Sequence, residues 1–178
     1  SNSGVSSVND TYWMKTINAL GMKLCVNNSW SGGYLIKHRP NVGAENDSDG
    51  SISNAMVRCK ALHNGSITPD VIIIMIGIND FIANIALGSF NDDSTSLPSG
   101  DTATTIREAW ANLINNTCTT YPKAEVYLMT YPQARVDVGT SGGARLEDYR
   151  DSVREVAELF GIKVIDLARC GIKTQNAS

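Results

Sequence analysis

The sequence predicts an α/β fold, a parallel sheet with helices packed on its faces. Three observations carry that expectation. Short apolar runs rich in β-branched residues alternate with longer stretches whose apolar residues recur every three to four positions. Residues 71–76, VIIIMI, are apolar without a break, as in a strand covered on both faces, and too few to make a helix of their own. Gly21, Gly88 and Gly161 each follow such a stretch, where a helix commonly stops.

Residues 9–20 place Tyr12, Trp13, Thr16, Ile17 and Leu20 on one helical stripe, with Asn9 or Asp10 as N-cap and Gly21 as stop. KLCVN, 23–27, reads as a short buried strand. Ile52, Ala55, Met56, Cys59 and Leu62 give a helix over 52–63, followed by the strand at 71–76. DFIANIALG predicts a short helix closed by Gly88, and a polar loop comes next. Ile106, Trp110, Leu113 and Ile114 mark a helix ending before Tyr121-Pro122. AEVYLMTY, 124–131, is a strand. Leu146, Tyr149, Val153, Val156 and Phe160 form a helical stripe ending at Gly161, and IKVIDLA, 162–168, is the last strand. This alternation predicts a parallel sheet with helices on both faces. In such sheets sites form at the carboxyl ends of the strands.

Composition narrows the function classes. The 178 residues fit one domain with a real core, and 42% hydrophobic with 19% charged residues is ordinary globular usage. A net charge of −3 without a Lys/Arg cluster argues against nucleic acid or anionic membranes as partners. No apolar run approaches the roughly 20 residues of a membrane span, and SNSGVSSVND lacks a signal-peptide layout. Cys25, Cys59, Cys118 and Cys170 contain no C-x-x-C pair, so neither a zinc site nor a redox motif is expected; Cys25 and Cys118 read as small buried hydrophobes. Sequons begin at Asn9, Asn27, Asn46, Asn64, Asn115 and Asn176, at a frequency that chance explains in a chain rich in Asn and Ser. ENDSDGS, 45–51, resembles the front of a calcium loop, but Met56 stands where the bidentate Glu is required, so the segment reads as a solvated loop at the mouth of a cleft. GTSGG, 139–143, lacks a Lys and does not directly follow a strand, so no phosphate cradle and no cofactor or metal is expected.

Two polar clusters lie at strand ends. VNNSWSGGYL offers paired glycines that let a backbone N–H approach a ligand. GIND, 77–80, offers the side-chain amide of Asn79. A backbone N–H and an Asn amide aimed at one point make an oxyanion hole for acyl transfer. The residues alone leave two readings open, because Gly-Ile-Asn-Asp could equally cap the next helix and Gly-Gly could simply turn.

VNNSWSGG followed by TPDVIIIMIGINDF resembles the second and third blocks of the SGNH/GDSL hydrolases, and the similarity continues through YLMTYPQAR and LEDYRDSVREVAELFGIKVIDLARCGI. The resemblance implies an esterase or acylhydrolase built as a three-layer α/β/α sandwich on a flavodoxin-like parallel sheet. It implies that Gly32 offers its backbone N–H and Asn79 its side chain to the oxyanion. Asp80 is placed to cap and orient the following helix; with Ser31 and Trp30 it completes the candidate substrate-binding set. Tyr34, like Trp30, is expected either to line the cleft or to pack. The implied partner is a small-molecule or carbohydrate ester.

The family's Gly-Asp-Ser nucleophile block and its Asp-x-x-His block do not occur; NDS at 46–48 and DDS at 92–94 fall in polar loops, and the chain's histidines are His38 and His63. His63 is expected at a helix C-terminus, where an imidazolium is stabilising, and His38 in a loop. In the sheet order 2-1-3-4-5 the first strand lies between the second and third, so its loss strands KLCVN and leaves open ladder groups. The expectation is therefore a single domain over 1–178, truncated at both ends and inactive by itself, with the missing parts on flanking residues or lent by a second copy through strand exchange. The alternative is a non-catalytic carbohydrate- or ligand-binding module. A location outside the cytoplasm is favoured over one inside it.

Overall fold

The computed structural model describes residues 6–36, 54–90, 103–132 and 144–171. A 3-10 turn, Val8–Asp10, leads into helix α1, Tyr12–Ala19. Then follow α2 (Ala55–Arg58), β1 (Val71–Ile74), α3 (Ile78–Ile82), α4 (Ile106–Thr120), β2 (Glu125–Met129), α5 (Leu146–Phe160) and β3 (Lys163–Ile165). The three strands form one parallel sheet in the order β1-β2-β3, with Ile72 opposite Val126 and Leu128 opposite Val164. That is an α/β fold with flanking helices.

Strand alternation decides what each face buries. Ile72, Val126 and Leu128 share one face and join the core with Trp110 and Ile114 of α4 and Val153 and Val156 of α5. Trp110, Ile114, Leu128 and Val156 are at most 1% exposed. Burial of a side chain of that size stabilises by about 1.5–3 kcal/mol. The other face is more open, with Ile73 49% and Met75 40% exposed. α5 matches its expected bounds because both ends are encoded. The Asp148 carboxylate accepts from the Arg145 backbone N–H at 2.6 Å, and Gly161 closes the helix at φ 65°. α4 likewise begins where the Glu108 carboxylate accepts from the Thr105 N–H at 3.2 Å.

Four expectations are corrected. KLCVN is not a strand: Leu24 is 42% and Val26 37% exposed, and among the described residues no strand pairs with this segment. A strand exists through its ladder, so propensity without a neighbour is insufficient. The described part of the 52–63 helix ends at Arg58. Beyond it the Tyr121 hydroxyl accepts from Leu62 N–H at 2.8 Å and donates to the Lys60 carbonyl at 3.0 Å, while the Asn28 amide takes the Arg58 carbonyl at 3.0 Å. The helix after β1 starts earlier than expected, at Ile78, and stops at Ile82 rather than near Gly88; Asn84, at φ 58°, makes the left-handed turn that Asn tolerates. Cys25 and Cys118 are half-buried rather than buried, and Cys59 is the buried thiol.

Candidate active site

Asn79 reaches its place through backbone geometry. Gly77 follows β1 at φ 113°, a conformation that glycine adopts without a Cβ penalty, and turns the chain into α3 with Asn79 in its first turn. The Asn79 Nδ2 donates to the Gly33 carbonyl at 2.8 Å. Since a carbonyl only accepts, the bond fixes which amide atom is nitrogen. One of its two N–H groups is used in this way, and among the described residues the other has no acceptor.

The paired glycines have separate reasons. Gly32 adopts φ 79° and is exposed, with open space where a Cβ would stand. Among the described residues no acceptor takes its N–H. Gly33 is buried, and a Cβ there would lie 2.7 Å from the Arg58 guanidinium. Arg58 is tied to the same segment, donating to the Asn28 carbonyl at 2.7 Å, and burial lowers its pKa. The sequence pattern gave no sign of Arg58; only the fold brings it to the Gly-Gly turn.

Asp80 has a different role from the expected one. It neither caps α3 nor reaches the surface: the N-cap is Gly77, and Asp80 is 0% exposed. Its carboxylate accepts from the backbone N–H groups of Leu35, at 2.9 Å, and Ile36, at 3.2 Å. Asp80 is thus removed from the substrate-contact set and becomes a clamp. Residues 79 and 80 together grip residues 33–36 from one side. From the other, the Tyr34 carbonyl accepts from Ala55 N–H at 2.9 Å. Buried Asn54 caps α2 by accepting from Met56 N–H at 2.8 Å. Ser31 is exposed, Trp30 is 47% exposed, and Tyr34 is buried at 9%, so packing claims Tyr34.

A second polar group stands at the ends of β2 and β3. Buried Thr130 donates to Asp166 at 2.8 Å and accepts from the Ala168 N–H at 3.3 Å. Arg154 donates to Asp166 at 2.8 Å and to Glu147 at 2.7 Å. The Arg154 hydrogen bonds hold the Asp166 carboxyl below its usual range, against the opposing effect of burial. Burial would raise Glu147, but bonds from Arg154 and Arg150 outweigh it and its pKa is lowered. These pairs fix where the chain leaves the last strand. His63 is exposed, with Nδ1 3.1 Å from the Gly65 carbonyl, and lies past the end of α2 rather than at a helix C-terminus. His38, NDS, DDS, the 45–51 loop and GTSGG lie outside the described residues. Among the described residues no cluster of three metal-ligating side chains occurs, and no helix is long and apolar enough to cross a membrane.

The sequence signature of the GDSL-like lipase/acylhydrolase family matches residues 1–177. The chain belongs to that family. A candidate GDSL-like lipase from Bacteroides ovatus has a crystal structure similar to this one, with TM-score 0.70 and 27% identity over 98% of this chain and 73% of its own. A Lactobacillus plantarum protein shares the fold at TM-score 0.67 and 19% identity, over 97% of this chain and 74% of its own. No curated protein matches significantly. Membership in a GDSL-like lipase/acylhydrolase family makes ester hydrolysis the chemistry at issue.

Proposed function

We propose that this chain carries the oxyanion-binding part of a serine ester hydrolase acting on an acyl ester, with a carbohydrate or other small alcohol as the leaving group. The reading is supported chiefly by one contact, the 2.8 Å hydrogen bond from Asn79 Nδ2 to the Gly33 carbonyl. It joins segments 46 positions apart in sequence and ties Asn79 to the residue that follows Gly32, whose Cβ position is open space.

In this reading a serine hydroxyl attacks the ester carbonyl while a histidine takes its proton. The free N–H of Asn79 and the N–H of Gly32 receive the developing negative charge, and the tetrahedral species collapses with loss of the alcohol. Water then repeats the sequence on the acyl-enzyme. The serine and histidine are proposed to come from residues flanking positions 1–178, in the same chain or in a second copy of the complete product. Removal of one oxyanion donor typically costs about 10²–10³ in kcat.

The test is turnover of p-nitrophenyl acetate by the complete gene product and by this 178-residue chain. Hydrolysis by the complete product, lost in a folded Asn79→Ala variant and absent from the shorter chain, is the expected result. A complete product that binds sugar tightly without turnover would instead mark a binding module.

A further inference from the structure

Tyr131 is a buried ionisable group that the proposed reaction leaves unused. It lies just past the end of β2, at the same sheet edge as Asn79, and is 8% exposed. Its backbone is immobilised from α5. The Arg150 guanidinium, itself 3% exposed, donates to the Tyr131 carbonyl at 3.2 Å and to the Pro132 carbonyl at 2.7 Å, and pairs with Glu147 at 2.9 Å.

From that anchor the phenol reaches across to the end of β1. A Cβ on Gly77 would stand 3.1 Å from the Tyr131 hydroxyl oxygen. Burial pushes the phenol pKa well up, and the Asp80 carboxylate adds to the effect. The hydroxyl is therefore neutral in any ordinary buffer and lies close to both residues 77 and 80, which bracket Asn79.

By ordinary geometry the Tyr131 hydroxyl has no hydrogen-bond partner among the described residues, although the Ile78 backbone N–H is near enough to act weakly on its oxygen. A buried hydroxyl held that weakly contributes little to the fold. A phenylalanine would fill the ring's space equally well, so the oxygen's own place beside Gly77 is the feature that needs a purpose. We infer that Tyr131 is a positioning residue for Asn79: its phenolic oxygen, carried on a backbone that Arg150 holds, props the Gly77 turn that aims the Asn79 amide. The contact is independent of catalysis. Its consequence for turnover rests on the ester-hydrolase reading.

The experiment separates the two. In the complete gene product the Asn79 side-chain amide, assigned by its loss in Asn79→Asp, is followed by NMR in Tyr131→Phe. The inference expects an unchanged or higher Tm together with shifted Asn79 resonances and an amide exchange rate raised severalfold. Gly77→Ala should lower Tm, and Tyr131→Phe in that background should restore part of the loss by removing the crowded oxygen. Asn79 resonances that superpose on the wild type overturn the inference, as does a Gly77→Ala defect that Tyr131→Phe leaves untouched. In the complete gene product, Tyr131→Phe should lower kcat about tenfold at constant KM and have no further effect on Asn79→Ala. Equal effects in both backgrounds would overturn it. A complete product without turnover refutes the hydrolase reading instead, and the amide measurement still decides the role of Tyr131.

Discussion

Replacement of Asp80 by asparagine tests the clamp most sharply. The carboxylate is fully buried and accepts two backbone N–H groups, at 2.9 and 3.2 Å. Hydrogen bonds to a charged group are worth about 1.5–3 kcal/mol each. Asparagine keeps the shape but only one accepting oxygen. One bond becomes neutral, and the other becomes an N–H facing an N–H. The loss should be about 2–4 kcal/mol, which for a domain of this size lowers Tm by roughly 5–15 °C. Thermal unfolding followed by circular dichroism measures the total. Hydrogen exchange at the Leu35 and Ile36 amides measures its location, and both should lose protection before the core of α4 does. A variant within about 1 °C of wild type, with those two amides equally protected, would refute the assignment of Asp80 as the tie between the two segments.

Acid should destabilise the protein through the carboxylates at the end of β3. Asp166 and Glu147 have pKa values lowered in the folded state, so their contribution is present above the ordinary carboxylate range and fades as pH falls through the folded values. Denaturation midpoints should be nearly flat from about pH 5 to 7 and drop below about pH 4, and Asp166→Asn should flatten that drop. Gly161→Ala should cost about 1 kcal/mol, because φ is 65° although a Cβ would meet nothing within 4 Å. Urea midpoints measure it, and no loss would mean that the helix end relaxes. Tyr121→Phe should cost roughly 1–3 kcal/mol, since its hydroxyl both accepts from Leu62 and donates to Lys60.

What the sequence made legible follows from how local each signal is. α5 has an apolar stripe, an acidic first turn and a left-handed glycine within its own span, and its bounds agree with the structure. β1 and β2 were readable because continuous apolar runs at that length have few other uses. KLCVN carried the same propensity and failed, since a strand needs a neighbour that propensity does not reveal. At the site, the spacing of GIND after a strand pointed to Asn79, and the glycine pair was visible as a place of close approach. The role of Asp80 was not visible, because an acid two residues past the start of a helix looks locally like a cap. Its partners lie 45 and 44 positions away. Arg58 and Tyr131 gave no signal for the same reason; each matters through a contact that only the folded chain makes.

In the proposed reaction Asn79 and Gly32 serve one shared hollow. The most direct measurement is a crystal structure of the complete gene product inactivated by an alkyl phosphonate, whose tetrahedral phosphorus mimics the ester intermediate. The expected result is a phosphonyl oxygen within about 3 Å of both Asn79 Nδ2 and the Gly32 backbone nitrogen. An adduct whose oxygen is held by other groups, with Asn79 turned wholly toward the Gly33 carbonyl, would contradict it.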